Sequence, residues 1–99
     1  MTSRHKRSPI HPGDILKTEF MEPLELSANK LASFMKVPPN RISTVVKGAR
    51  SITGDTALRL SRVFGTTPGF WMNLQSRYDL DIAEDAKGAE ISKIGHIAA

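Results

Sequence analysis

Four polar residues between positions 40 and 44 have side chains that can hydrogen-bond the edges of DNA bases. Arg41 can present two parallel N–H donors to O6 and N7 of a guanine, and Asn40 can pair with an adenine. Ser43 and Thr44 can add hydroxyl or methyl contacts to neighbouring bases. We therefore predict that these four residues read the sequence of a DNA major groove.

The apolar pattern around these residues predicts the helix that must carry them. Pro39 suits the first position of a helix, because its φ is preset and its missing N–H is not needed there. Ile42, Val45 and Val46 have the spacing of a buried stripe, which leaves the polar residues pointing outward. Gly48 can end the helix in the left-handed conformation. A surface helix whose polar face is merely solvated would show the same pattern, so the helix alone does not decide the function.

Another short helix is predicted to precede the helix that begins at Pro39. Ser27 is a good N-cap, and Leu31, Ala32 and Met35 then fall on one face. Pro38 interrupts this helix, because a residue that precedes a proline is disfavoured in the α region. Two short helices joined by a tight turn form a helix-turn-helix, in which the second helix enters the DNA groove.

Polar and basic residues flank the two helices at positions suited to phosphates. Between residues 27 and 62 seven basic residues face one acid, Asp55, whereas a solvated face usually mixes its signs. Phosphate contacts fix the orientation of a protein on DNA and carry no sequence information directly. The residues that we predict for this role are Ser27, Asn29, Lys30, Lys47, Arg50 and Ser51.

The composition argues against catalysis and against a metal or another cofactor. The chain has no cysteine, and its three histidines lie near the two ends without the spacing of metal ligands. No nucleophile with a base and no pair of carboxylates is visible, so an RNA-cleaving enzyme is disfavoured despite the small size and positive charge. No apolar run reaches the roughly 18 residues of a membrane span, and no signal peptide is recognisable, so we expect a cytoplasmic protein.

The 99 residues suggest one domain with two short ends. Residues 1–11 form a basic N-terminal arm, residues 12–86 the helix-turn-helix domain, and residues 87–99 a C-terminal tail without an assigned structure. The arm, with its basic run from Arg4 to Arg7, is either a solvated tail, a phosphate contact or a docking segment for an acidic partner.

Further helices are predicted on both sides of the motif. One runs from Pro12 to Pro23 with Ile15, Leu16 and Phe20 inside; the next begins after Thr53 and stops at Gly65; the last starts at Pro68 and continues to Ala86. This last helix carries three of the chain's six aromatic residues. They either close the core or form a contact between two copies of the chain. The residues of this candidate dimer contact are Phe70, Trp71, Leu74 and Tyr78.

Six blocks of the sequence, in order, resemble the HigA-type antitoxins of the Xre, or lambda-repressor-like, helix-turn-helix superfamily. The blocks are HPGDIL (11–16), NKLA (29–32), VPPNRIS (37–43), GARSIT (48–53), TALRL (56–60) and FWMNLQ (70–75). The resemblance implies an all-α, five-helix DNA-binding domain that represses its own operon as a homodimer and neutralises a co-encoded, mRNA-cleaving toxin of the HigB type. It also places Pro39 to Lys47 in the groove. The alternative is a stand-alone Xre-family repressor without a toxin partner.

The chain departs from the family pattern at two positions, and its acidic end leaves the toxin contact open. Ala28 stands where many members have a phosphate-binding glutamine, and this contact is either supplied by Asn29 or Ser27 or absent. Ala49 stands where lysine is frequent in the family, which would remove a further phosphate contact. Residues 78–99 carry five acids and two basic residues. These acids either face a basic toxin or are solvated. They are Asp79, Asp81, Glu84, Asp85 and Glu90.

Overall fold

The structure, a computed structural model, describes residues 8–98 as an all-α fold without a strand. The basic run from Arg4 to Arg7 lies outside the described residues. Five helices follow one another, which confirms the expected fold class. They are α1, which is α-helical over Pro12–Ile15 and continues as a π-helix over Leu16–Met21, α2 (Ala28–Met35), α3 (Pro39–Val46), α4 (Gly54–Phe64) and α5 (Pro68–Ile91).

The capping residues predicted from the sequence define the helix ends. The Ser27 hydroxyl accepts the N–H of Lys30 at 3.0 Å, and the Thr53 hydroxyl accepts that of Thr56 at 3.4 Å. Gly48 and Gly65 follow α3 and α4 with φ of 80° and 75°, in the left-handed region that a side chain disfavours. Local sequence therefore sets where the motif helices start and stop.

Helix α1 differs from the regular α-helix expected from Pro12 to Pro23. Its second half is a π-helix, in which each N–H bonds the carbonyl five residues back, as Glu22 does to Lys17 at 2.9 Å. Leu16 and Met21, five residues apart, are both buried as a result, while Phe20 is only half-buried. The inner face of α1 is thus rotated toward Met21.

His11, the last residue of the predicted N-terminal arm, is buried against the folded helices. Its Nδ1 accepts the N–H of Gly13 at 2.9 Å, which makes it the N-cap of α1. The residue is 8% exposed, and its imidazole meets the ring of Tyr78 edge-on, with 4.8 Å between centroids. The side chain therefore joins the start of α1 to α5.

The core is centred on Trp71 of α5 and the apolar faces of the other four helices. Trp71 is fully buried, its ring centroid lies 4.9 Å from that of Phe20, and its Nε1 donates to the Thr66 hydroxyl at 2.7 Å. Helix α1 also packs directly on α3: a Cβ added to Gly13 would stand 2.0 Å from the carbonyl oxygen of Val45. The helix that carries the polar face is thus braced by backbone contact.

Helix α5 extends beyond the end predicted at Ala86. It continues to Ile91 across a kink at Lys87, whose φ of −137° is not helical, and so includes part of the predicted tail. Every described residue after Tyr78 is exposed or half-buried. Within the described residues, no helix is long and apolar enough to cross a membrane.

Candidate nucleic-acid interface

The turn between α2 and α3 holds the two helices in a helix-turn-helix arrangement. Lys36 ends α2 in the left-handed conformation, with φ of 59°, and Val37 donates its N–H to the carbonyl of Ala32 at 3.1 Å. Ile42 and Val45 of α3 are completely buried. The opposite face of α3 is therefore directed away from the core.

The four residues predicted to read bases all lie within the first six positions of α3. Asn40 is exposed, whereas Arg41, Ser43 and Thr44 are half-buried. The hydroxyls of Thr44 and Ser43 donate to the carbonyl of Asn40 at 2.6 and 3.4 Å. Their protons are thus used within the helix, so these two side chains offer DNA acceptor oxygens and the Thr44 methyl group.

The six residues predicted to bind phosphates are all exposed and fall into two groups. One group lies at the N-terminus of α2, where the helix dipole favours an anion and the Ser27 O–H remains free to donate after its oxygen has capped the helix. The other group lies at the end of α3 and in the segment before α4. The first group is Ser27, Asn29 and Lys30, and the second is Lys47, Arg50 and Ser51.

Asp55 accepts hydrogen bonds from two arginines, and sequence reasoning did not predict this contact. Its Oδ2 lies 2.5 Å from Nη1 of Arg41 and 2.9 Å from Nε of Arg59. Arg59 Nη1 also donates to the carbonyl of Met35 at 2.8 Å. The cluster of Arg41, Asp55 and Arg59 therefore links α3, α4 and the end of α2.

The cluster favours the ionised form of Asp55. Hydrogen bonds from Arg59 and then from Arg41 lower the pKa of this carboxyl below its ordinary value of 3.8. The Arg41 side chain is 27% exposed and that of Asp55 54%. The only sequence signal for the cluster is that Asp55 is the one acid among the basic residues of this region.

The four residues of the candidate dimer contact do not share one environment. Trp71 is fully buried within the chain, so it packs in the core and is not accessible to a partner. Phe70 is 38% exposed, and Leu74 and Tyr78 are half-buried. Any contact with a second copy through this part of α5 therefore uses Phe70, Leu74 and Tyr78 without the indole.

A braced α2–α3 pair with an outward polar face and exposed basic residues at its ends defines a helix-turn-helix DNA-binding protein. Residues 19–71 match the family model described as Helix-turn-helix. Virulence-associated protein I of Dichelobacter nodosus is 46% identical over 84 residues, which are 85% of this chain and 78% of that protein.

Two solved structures give a narrower assignment. An addiction module antidote protein of a HigA family from Coxiella burnetii has a TM-score of 0.87 at 48% identity, over 93% of this chain and 100% of that one. The Pseudomonas aeruginosa antitoxin HigA, solved with the higBA promoter, has a TM-score of 0.86 at 42% identity, over 91% and 99% of the two chains. The chain belongs to the HigA-like family of DNA-binding helix-turn-helix antitoxins and regulators, which are not enzymes.

Proposed function

We propose that the protein is an antitoxin that represses its own operon as a homodimer and neutralises a HigB-type mRNA-cleaving toxin. Helix α3 would enter the major groove, with Asn40, Arg41, Ser43 and Thr44 against bases and the two exposed groups of residues at its flanks against phosphates. Because its operator is chromosomal or plasmid DNA, we place it in the cytoplasm.

The observation that carries the DNA half of this proposal is the state of Arg41. Its Nη1 is bonded to Asp55, while its Nε and Nη2 have no hydrogen-bond partner among residues 8–98. Those two donors form the edge of the guanidinium fork that can bind O6 and N7 of a guanine. The Arg41 side chain is thus held by the protein and still has two donors available for a base.

The homodimer rests on α5. Its 24 residues span about 36 Å at the rise of an α-helix, and large apolar side chains remain exposed along it. Leu80 is 64% exposed and Ile82 is 43% exposed, in addition to Phe70. A symmetric pair would place two α3 helices in half-sites about 34 Å apart on a pseudo-palindromic operator.

Light scattering on the purified protein should give twice the mass of one chain, and a monomer at micromolar concentration would contradict this arrangement.

Fluorescence anisotropy against the duplex upstream of the protein's own start codon tests the repressor function. A scrambled duplex of the same composition is the control, and both are titrated across a salt series. We expect a preference for the upstream duplex of about a thousandfold or more. Equal and steeply salt-dependent binding to both duplexes would reduce the site to a basic surface and refute sequence-specific repression.

The toxin half of the proposal rests on the acidic part of α5. Asp79 accepts a hydrogen bond from Gln75 at 3.0 Å, Asp81 pairs with Arg77 at 3.6 Å, and Glu84 and Asp85 are exposed. Charge complementarity with a small basic toxin supports a contact here. Co-purification of a tagged copy from its native host, after nuclease treatment, should recover such a toxin. Recovery of DNA-binding protein alone would favour the stand-alone repressor.

Arg41→Ala and Lys47→Ala should weaken DNA binding in different ways. Loss of the Arg41 fork should cost roughly 1 to 3 kcal/mol on the upstream duplex and relax its sequence preference. Loss of the Lys47 ammonium should weaken binding to both duplexes alike and lower the salt slope by about one. Anisotropy titrations measure both effects. Equal losses on the two duplexes for Arg41→Ala would show that Arg41 does not read bases.

A further inference from the structure

We propose that Asp55 is a positioning residue that sets the sequence specificity of Arg41. This inference rests on the proposed function, since it assumes that Arg41 contacts bases. Asp55 itself would touch no base. It would decide instead how freely the Arg41 guanidinium moves between bases and phosphates.

The first argument is that Asp55 is itself held in place. Arg59 lies one helical turn after Asp55 on α4 and donates Nε to Oδ2 at 2.9 Å. The Nη1 of Arg59 is fixed in turn to the carbonyl of Met35 at 2.8 Å, at the last residue of α2. Asp55 is therefore tied to two helices before it contacts Arg41, and it can act as a fixed point for that side chain.

The second argument is the way in which Arg41 is held. One nitrogen, Nη1, is engaged by Asp55 at 2.5 Å, so the plane of the guanidinium is restricted. Its Nε and Nη2 have no partner among the described residues and remain for a base edge. A flexible arginine gives up rotamer freedom when it binds, whereas an ordered one has less to lose. The pairing thus favours the specific complex, in which the direction of the fork matters.

The third argument concerns DNA of the wrong sequence. An arginine without a carboxylate partner can swing toward the nearest phosphate, and such contacts supply nearly all non-specific affinity. Asp55 opposes this because its hydrogen bond restrains the Arg41 guanidinium. Removing the charge should therefore strengthen non-specific binding while it weakens the specific complex.

The experiment compares Asp55→Asn with the wild-type protein by anisotropy on the upstream and the scrambled duplex. We expect the dissociation constant to rise about threefold on the upstream duplex and to fall about threefold on the scrambled one. The specificity ratio, which is the dissociation constant on the scrambled duplex divided by that on the upstream duplex, should therefore drop about tenfold. A partly unfolded variant would bind both duplexes less in proportion, and the ratio would not move. Asp55→Glu keeps the carboxylate and should recover most of the ratio.

Glu22→Gln is the matched control, because it also removes one exposed carboxylate but has no hydrogen bond or ion pair with Arg41 or Arg59. Its ratio should equal that of the wild type. In an Arg41→Ala background, Asp55→Asn should leave the ratio unchanged, since the effect passes through Arg41. A tenfold drop in that background, or a ratio within about twofold of wild type for Asp55→Asn alone, would overturn the inference. If the wild-type protein itself shows no preference, the proposed repressor function fails instead, and this inference fails with it.

Discussion

Gly13→Ala should lower the free energy of unfolding by about 3 kcal/mol, at the upper end of the usual cost of overpacking. The new methyl carbon would stand 2.0 Å from the carbonyl oxygen of Val45 and 2.8 Å from its carbon. Both are backbone atoms, so no side-chain rotation relieves the overlap, and α1 must move away from α3. Urea denaturation followed by circular dichroism measures the loss.

Gly54→Ala provides the matched comparison, since a Cβ at Gly54 would have no atom within 4 Å. Gly54 is the first residue of α4, and alanine there should leave stability unchanged or raise it by up to about 1 kcal/mol. The refolded Gly13→Ala protein should also bind the upstream duplex more weakly, because the brace of α3 is displaced. Equal stability of the two variants would contradict the close approach of α1 to α3.

Trp71→Ala should cost about 3 to 5 kcal/mol, the range for removing a large aromatic residue from a core. The indole is fully buried, its ring contacts Phe20, Phe64 and Phe70, and its N–H donates to the Thr66 hydroxyl. Alanine leaves both a cavity and an unpaired hydroxyl. A small domain has only about 5 to 15 kcal/mol of stability, so this single change should remove a large fraction of it.

The measurement for this variant is again urea denaturation by circular dichroism, since Trp71 is the sole tryptophan and its fluorescence is lost with it. All samples are compared at one protein concentration, because dimerisation would make stability depend on concentration. Phe34→Ala is the control: this phenylalanine is 58% exposed on α2, and its loss should cost about 1 kcal/mol or less. A comparable cost for the two variants would mean that Trp71 is not central to the core.

Local signals were sufficient for the helix ends of the motif. Ser27 and Thr53 cap α2 and α4, and Gly48 and Gly65 end α3 and α4 because each of these effects depends on one or two backbone groups nearby. The buried stripe of α3 was also predictable from its spacing, since Ile42 and Val45 are fully buried.

Features that depend on contacts between distant residues were not predictable. The π-helix in α1 becomes recognisable only when Leu16 and Met21 are seen to enter the same core. The bond between Arg41 and Asp55 joins residues 14 positions apart, and no periodicity encodes it. The extension of α5 to Ile91 lacks the buried stripe on which a sequence argument depends.

The hydrogen bond from Ile52 to Gln75 allows the docking of α5 to be followed at one backbone amide. The buried side chain of Gln75 accepts the N–H of Ile52 through Oε1 at 2.7 Å, and Ile52 is itself fully enclosed next to Arg50 and Ser51. The hydrogen on that nitrogen is protected from exchange with deuterium while this bond holds α5 to the loop. Its exchange rate therefore reports, at a single residue, how tightly α5 is docked against the segment that precedes α4.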